Sequence, residues 1–241
     1  MPLSLAYPSL KSQIDCEGFA IIEEVIPTDL IARFPVDIES PQPDDAVRRR
    51  RGKAFAIRNL LDTVPQARAI AESSELRALV DQALDPKAFI TRAILFDKNP
   101  RANWAVPWHQ DTTIAVQERI EQPGFGPWSV KAGVIHVQPP SSVLENMLTA
   151  RIHLDDCDAD NGALLALPRS HADGILDTDQ TALLRGDIEP VSCSVRAGGV
   201  LFMRPLLLHA SLPSKNPSHR RVIHLEFAID PLPDGLEWFR C

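Results

Sequence analysis

The sequence is poor in cysteine, in tyrosine and in long apolar runs. Its four cysteines are far apart and show no CxxC or Cys/His spacing, which argues against a disulfide framework or a zinc knuckle. No apolar run reaches the length of a signal-peptide core or a membrane span, and residues 1–10 contain no basic side chain. We therefore expect neither export nor a membrane anchor, and the reduced thiols suggest a cytoplasmic protein.

Basic charge is also in deficit. The 25 basic and 32 acidic residues give a net charge of −7, which disfavours a nucleic-acid partner or a polybasic membrane surface. The remaining composition, with 44% hydrophobic and 24% charged residues, is close to a globular average. We expect one domain spanning residues 1–241 that acts on a small molecule, and the sequence leaves its oligomeric state open.

Residues 1–87 are predicted to form a helical and irregular N-terminal flank. Pro27-Thr28-Asp29 and Ser73-Ser74-Glu75 are helix-start signals, and apolar residues follow the second at helical spacing. Between them lies the basic run Arg48-Arg49-Arg50-Arg51. It fits a phosphate-binding patch or a solvated loop, and the acidic net charge favours the loop.

From residue 88 onward the pattern becomes that of strands. The stretches 88–96, 148–155, 199–203 and 222–229 are rich in β-forming residues, and 148–155 alternates cleanly. Gly-rich turns such as Asp160-Asn161-Gly162 separate them. Helices followed by strands predict a mainly β (α+β) fold, with a jelly-roll core over residues 88–235 and helices packed on one side.

One short motif, Trp108-His109-Gln110-Asp111, carries metal-binding chemistry. On an extended strand His109 and Asp111 project to the same face, so both can reach one metal ion. A simple hydrogen-bonded pair is the alternative. The best third ligand is His209, which ends an apolar segment about a hundred residues later. Two histidines and one carboxylate with open positions opposite are typical of non-haem Fe(II) oxygenases, whereas a structural zinc site has four protein ligands.

A 2-oxo acid that chelates such an iron leaves its far carboxylate to be held by the protein. Arginine suits this role because its planar guanidinium binds carboxylates through two hydrogen bonds and stays charged. Arg220 and Arg221 are both candidates, and in an extended segment only one of them can face the iron pocket.

These residues together resemble a known family. The likeness rests on the HxD motif, on His209-Ala210-Ser211, on an arginine eleven residues after the distal histidine, and on two turns, Asp160-Asn161-Gly162-Ala163-Leu164 and Pro168-Arg169-Ser170-His171. This set is similar to the phytanoyl-CoA dioxygenase family of Fe(II)/2-oxoglutarate-dependent oxygenases, from about residue 18 to residue 228. The resemblance implies a double-stranded β-helix (jelly-roll, cupin-like) core with flanking helices.

The resemblance also implies roles for single residues. It places His109, Asp111 and His209 on Fe(II), selects Arg220 over Arg221 by the eleven-residue offset, and adds Ser211 to the far carboxylate of 2-oxoglutarate. The implied reaction consumes O2 and hydroxylates an unactivated C–H bond of a small or medium organic metabolite, releasing succinate and CO2. An intact Asp111 favours hydroxylation over halogenation.

Substrate contacts are less constrained. We expect the Gly/Pro-rich segment 121–144 to be a lid-like loop that brings His136 to the substrate, with Trp104, Arg92 and Arg151 as further contacts. Core packing or structural ion pairs are the alternatives for these side chains. Two other functions stay open, a jelly-roll isomerase or lyase that does not use 2-oxoglutarate and a non-catalytic binding module of the same fold.

Overall fold

The computed structural model describes residues 9–35, 47–50, 53–131 and 133–239. Its α-helices are α1 (Leu10–Glu17), α2 (Thr28–Arg33), α3 (Leu60–Thr63), α4 (Pro65–Ala71), α5 (Ser74–Ala83), α6 (Ser141–Glu145) and α7 (Thr178–Asp187). The helices predicted to begin near residues 28 and 74 are confirmed as α2 and α5. Within these ranges no helix has the length and apolar character needed to cross a bilayer.

The largest sheet has seven strands in the order β1-β12-β9-β14-β4-β3-β2. The strands are β1 (Phe19–Ile22), β2 (Val47–Arg50), β3 (Lys53–Arg58), β4 (Phe89–Lys98), β9 (Met147–His153), β12 (Val200–Met203) and β14 (Arg220–Ala228). The four strands predicted from the sequence are therefore confirmed as β4, β9, β12 and β14. All neighbours in this sheet are antiparallel.

Two smaller sheets complete the β structure. One has the order β11-β10-β13-β5, and the other has the order β6-β8-β7. Their strands are β5 (Val106–His109), β6 (Ile114–Val116), β7 (Trp128–Lys131), β8 (Val134–Val137), β10 (Leu164–Ala166), β11 (Val191–Cys193) and β13 (His209–Ser211). This is the predicted mainly β jelly roll with flanking helices.

Two segments differ from the prediction. The flank 1–87 is not only helical, because it adds β1, β2 and β3 to the largest sheet. Segment 121–144 is not a plain loop, because it contains β7, β8 and α6. Strands of four to six residues carry too little alternation to be recognised alone, and here pairing with neighbours stabilises them. The run 48–51 lies partly outside the described residues, and its predicted role is untested.

The main hydrophobic core lies between the largest sheet and the N-terminal helices. Leu76 and Val80 of α5 pack with Ile152 of β9 and Ile223 of β14. Alternate residues of the same strands project to the opposite face of the sheet, which carries charged side chains. In the register of β14 against β4, Arg220 pairs with Lys98 and Glu226 with Arg92. The sheet thus has one apolar face and one face suited to a polar site.

Candidate metal centre and cosubstrate pocket

His109, Asp111 and His209 form a compact cluster. His109 ends β5 and His209 begins β13, and the two histidines are register partners in adjacent strands. One ligand atom from each of the three residues lies within 4.8 Å of the others. The Nε2 atoms of both histidines are 3.8 Å from carboxylate oxygens of Asp111. The three predicted ligands therefore converge.

The hydrogen bonds of this cluster fit a metal ion. Nδ1–H of His109 donates to Pro107 O at 2.8 Å, and Nδ1–H of His209 donates to Leu207 O at 2.8 Å. Because a carbonyl only accepts, each ring keeps an unprotonated Nε2 for a metal. Oδ2 of Asp111 is buried without a hydrogen-bond partner among the described residues. A metal ion would satisfy this atom, which otherwise carries a desolvation cost.

The protonation states of the cluster also fit. Burial, partly offset by the charge of Asp111, lowers the pKa of His209 to about 4. Burial alone would raise the pKa of Asp111, but the neighbouring His209, His224 and His109 hold it below its usual range. At neutral pH the cluster therefore offers neutral imidazole and ionised carboxylate, which are the forms that bind metal ions.

Gln110 fixes the position of the HxD motif. Its side-chain amide donates to Gly174 O at 2.8 Å and to Leu206 O at 2.7 Å, and its carbonyl accepts from Leu176 N at 2.8 Å. Asp111 lies beyond the end of β5, and its backbone N–H donates to Pro205 O at 2.9 Å. Two neighbouring residues thus attach the motif to the segment that leads to His209.

A cavity of about 260 Å³ opens onto the cluster. Its apolar lining residues are Ile94, Phe96, Trp104, Val106, Leu164 and Ala210, and its polar ones are Arg92, His109, Asp111, Arg151, His209, Ser211, Arg220 and His224. Every site residue predicted from the sequence except His136 is in this lining. No described residue between 121 and 144 lines it, so a covering role for that segment stays a prediction.

The structure places His136 elsewhere. It is a buried residue of β8, and its Nδ1–H donates to Val134 O at 3.0 Å. It borders a separate small space together with Lys131 and the far side of Arg92. Burial lowers its pKa to about 4, so the ring is neutral. His136 is not among the residues that line the 260 Å³ cavity, but the small space beside it shares Arg92 and Ile94 with that cavity, so its contact with substrate stays a prediction.

Arg220 and Ser211 lie together with a third residue that the sequence motifs did not indicate. Nη1 of Arg220 and Oγ of Ser211 both donate to Gly162 O, at 3.1 and 2.9 Å. Nζ of the buried Lys98 donates to Ser211 Oγ and to Leu212 O, both at 2.6 Å. Burial, with the charge of Arg220, lowers the pKa of Lys98 to about 7. Lys98 lies two residues beyond the stretch 88–96, and continuing that alternation would have identified it.

Gly162 is required where these groups meet. Its φ is +72°, and a Cβ there would lie 2.8 Å from Leu212 O and 3.3 Å from Lys98 Nζ. A side chain would therefore displace the contacts that hold Ser211 and Lys98. The turn predicted at residues 160–162 thus brings a backbone carbonyl to the pocket.

Arg221, the alternative to Arg220, points to the other face of the sheet. It makes a two-pronged pair with Asp155, Nε to Oδ2 at 2.8 Å and Nη2 to Oδ1 at 2.6 Å, and Nη1 donates to Pro35 O. The alternation along β14 thus gives one arginine to the cavity and one to a structural ion pair.

The comparisons with known proteins agree with this geometry. A sequence search of curated proteins found no match, whereas the family model for phytanoyl-CoA dioxygenase (PhyH) matches residues 14–222. The chain belongs to the phytanoyl-CoA dioxygenase family. Members of this family are Fe(II)/2-oxoglutarate-dependent enzymes, so the predicted cofactors, Fe(II), 2-oxoglutarate and O2, are confirmed.

Solved structures of other proteins have a similar fold. AviO1 from Streptomyces viridochromogenes Tue57 is 26% identical with a TM-score of 0.65, over 95% of this chain and 100% of that one. EctD from S. alaskensis with bound Fe is 17% identical with a TM-score of 0.70, over 94% and 79%. The α-ketoglutarate-dependent epimerase SnoN from nogalamycin biosynthesis is 18% identical with a TM-score of 0.63, over 91% and 79%. The latter two show the fold alone.

Proposed function

We propose that the chain is a non-haem Fe(II)/2-oxoglutarate-dependent dioxygenase that hydroxylates an unactivated C–H bond of a small or medium organic metabolite. The observation that carries the proposal is one cavity with the His109, Asp111 and His209 cluster beside Arg220 and Ser211. Ferrous iron bound there with 2-oxoglutarate and O2 supplies oxidation of the C–H bond, with release of succinate and CO2.

Three groups of cavity residues would bind the metal, bind 2-oxoglutarate and exclude water. His109, Asp111 and His209 would hold the metal on one face and leave the cavity side open. Arg220 and Ser211, supported by Lys98, would bind the far carboxylate of 2-oxoglutarate through charge-assisted hydrogen bonds. Trp104, Phe96 and Ile94 would exclude water from the reacting C–H bond.

Turnover of a metabolite mixture tests the proposal, because succinate release does not depend on which metabolite reacts. The iron-loaded protein is incubated with 2-oxoglutarate, O2 and pooled metabolites, and succinate is measured. We expect metabolite-stimulated succinate release in the wild type and none in His209→Ala, while Asp187→Ala, a change on α7, is active. No succinate release from the wild type would refute the proposal. That result is expected of an isomerase or lyase that does not use 2-oxoglutarate, or of a binding module.

Product mass tests the type of oxidation. Hydroxylation adds one oxygen atom to the substrate, whereas epimerisation leaves its mass unchanged. The comparison matters because SnoN is described as an epimerase. A product of unchanged mass with succinate release would keep the enzyme class and overturn hydroxylation.

A further inference from the structure

Around His224, strands β4, β9 and β14 bring together two guanidinium groups, those of Arg92 and Arg151, and the carboxylate of Glu226. Arg92 forms an ion pair with Glu226 Oε1. Nε2 of His224 is 3.2 Å from the same oxygen, and its Nδ1 is 3.0 Å from Nη1 of Arg151. Because a guanidinium only donates, Nδ1 accepts from Arg151 and Nε2–H donates to Glu226. Glu226 thus pairs with Arg92 directly and reaches Arg151 only through the His224 ring.

No carboxylate in the described part of the chain forms an ion pair with Arg151, and Asp111 acts on it only as a nearby charge that favours its ionised form. The residue is 8% exposed, and its Nε has no hydrogen-bond partner among the described residues. Burial and the nearby Arg220 lower its pKa to about 10, so the group remains charged at neutral pH. A buried charge without a partner is unfavourable, and a ligand that supplies the opposite charge would relieve this cost.

The cavity still has an excess of positive charge after Fe(II) and 2-oxoglutarate bind. A ferrous ion and the dianion of 2-oxoglutarate cancel each other, so their binding adds no net charge. The guanidinium groups of Arg92, Arg151 and Arg220 then face only the carboxylates of Asp111 and Glu226, and Lys98 adds a further positive charge when protonated. One singly charged anion would therefore bring this region close to neutrality.

We propose, building on the function proposed above, that the substrate is an organic acid whose carboxylate is bound by Arg151. The planar guanidinium fits a carboxylate through two hydrogen bonds, and His224 fixes its orientation. With the carboxylate there, the carbon skeleton would lie along Ile94 and Phe96, which line the same cavity as the metal-ligand cluster.

Matched pairs of acid and amide test this proposal by binding. The protein is loaded anaerobically with Fe(II) and saturating 2-oxoglutarate, and the metal-to-ligand charge-transfer band reports the loaded site. Propionate, isobutyrate and benzoate are then titrated, each against its primary amide, with the band and the melting temperature as readouts. We expect the acids to perturb the band and raise the melting temperature, and the amides to do neither at the same concentrations.

Two substitutions beside His224 should change the affinity for organic acids in opposite directions. Arg151→Gln removes the positive charge and should weaken acid binding by about tenfold or more, with the charge-transfer band retained. Glu226→Gln keeps the acceptor for His224 but removes the negative charge, and should tighten acid binding. Arg221→Gln, on the other face of β14, is the control and should leave acid binding unchanged.

The outcomes separate this proposal from the function on which it rests. A wild type without the band would overturn both. A normal band with acids and amides acting alike, whether both bind or neither does, would overturn only the organic-acid proposal. The same holds if Arg151→Gln weakens 2-oxoglutarate binding and leaves acid binding unchanged, because Arg151 would then serve the cosubstrate.

Discussion

At the scale of single residues, the hydrogen bonds and neighbouring charges of each polar side chain in the site determine whether it can bind a metal or an anion. His109 and His209 have their Nδ1 atoms engaged by backbone carbonyls, so both free Nε2 atoms are available 3.8 Å from oxygens of Asp111. At the other end of the cavity Lys98 and Arg220 are buried close together, where the charge of Arg220 lowers the pKa of Lys98. A dianionic cosubstrate would relieve that repulsion.

Lys98 should make 2-oxoglutarate binding depend on pH. Its pKa of about 7 means that the amine is charged below this value and neutral above it, with Arg220, Arg151 and the Cys157 thiol as its charged or titratable neighbours. We expect the dissociation constant of 2-oxoglutarate to rise several-fold as pH increases from roughly 6 to 9. Anaerobic titration of the charge-transfer band measures it.

Lys98→Met is the control for this pH dependence. Methionine has a similar length and no charge, so its profile should be flatter and its affinity at the acidic end weaker than that of the wild type. Parallel pH profiles in the two proteins would assign the dependence to another group.

Gln110 should position the metal ligands. In Gln110→Ala three hydrogen bonds are lost and their backbone partners are left unpaired, so we expect the free energy of unfolding to fall by about 1–3 kcal/mol and metal affinity to weaken. Denaturant unfolding and metal titration measure the two effects. Gln117→Ala is the matched control, because that exposed amide makes one 3.4 Å hydrogen bond. Equal effects of the two substitutions would contradict the positioning role.

At the scale of elements, the alternation of β14 separates function from stability in adjacent residues. Arg220 faces the cavity and Arg221 faces Asp155. The strand is buried along its whole length, and it pairs with β4 on one side and β9 on the other. This central place in the sheet fixes its register, and therefore which arginine faces the metal centre.

The two arginines should give opposite phenotypes when each is changed to glutamine. Arg220→Gln should raise the half-saturating 2-oxoglutarate concentration by about tenfold or more, with little loss of stability. Arg221→Gln should lower the free energy of unfolding by about 1–3 kcal/mol with 2-oxoglutarate affinity retained, because it removes both side-chain hydrogen bonds to Asp155 and leaves the one from the backbone N–H of residue 221. Spectral titration and denaturant unfolding measure both quantities. The reverse assignment of phenotypes would mean that Arg221 serves the cosubstrate.

The elements also show where sequence patterns suffice. Strands β4, β9 and β14 were predictable because each combines β-branched residues with length or alternation, and β12 was predictable because an apolar run follows the glycine pair Gly198-Gly199. The short strands β1, β2, β3, β7 and β8 were not, because pairing with distant segments stabilises them. The position of His136 was not predictable for the same reason, since it depends on β8 pairing with β6 and β7. Lys98 was missed because the predicted strand stopped two residues early.

At the scale of the whole molecule, a protein of net charge −7 carries a cavity lined by arginines. HxD is a local pattern, His209 was predicted from the apolar segment that precedes it, and the choice of Arg220 over Arg221 came from the resemblance to the family. The group of Arg92, His224, Arg151 and Glu226 joins three strands that are far apart in sequence, so only the fold brings it together.

Occupation of the centre should stabilise the whole fold. Mn(II), which does not support turnover, and 2-oxoglutarate at about a hundred times their dissociation constants should add about 2.7 kcal/mol or more, or roughly 5–10 °C in melting temperature. Differential scanning calorimetry measures the shift. In Asp111→Ala the shift should be largely lost. A full shift in that variant would place the metal outside the predicted cluster.

The most direct test of the proposed metal centre is the anaerobic absorption spectrum of the protein with Fe(II) and 2-oxoglutarate. We expect a visible metal-to-ligand charge-transfer band in the wild type, no band in His209→Ala, and a band that needs more 2-oxoglutarate in Arg220→Gln. A wild type without the band, or a His209→Ala protein that keeps it, would contradict iron and 2-oxoglutarate binding by these residues.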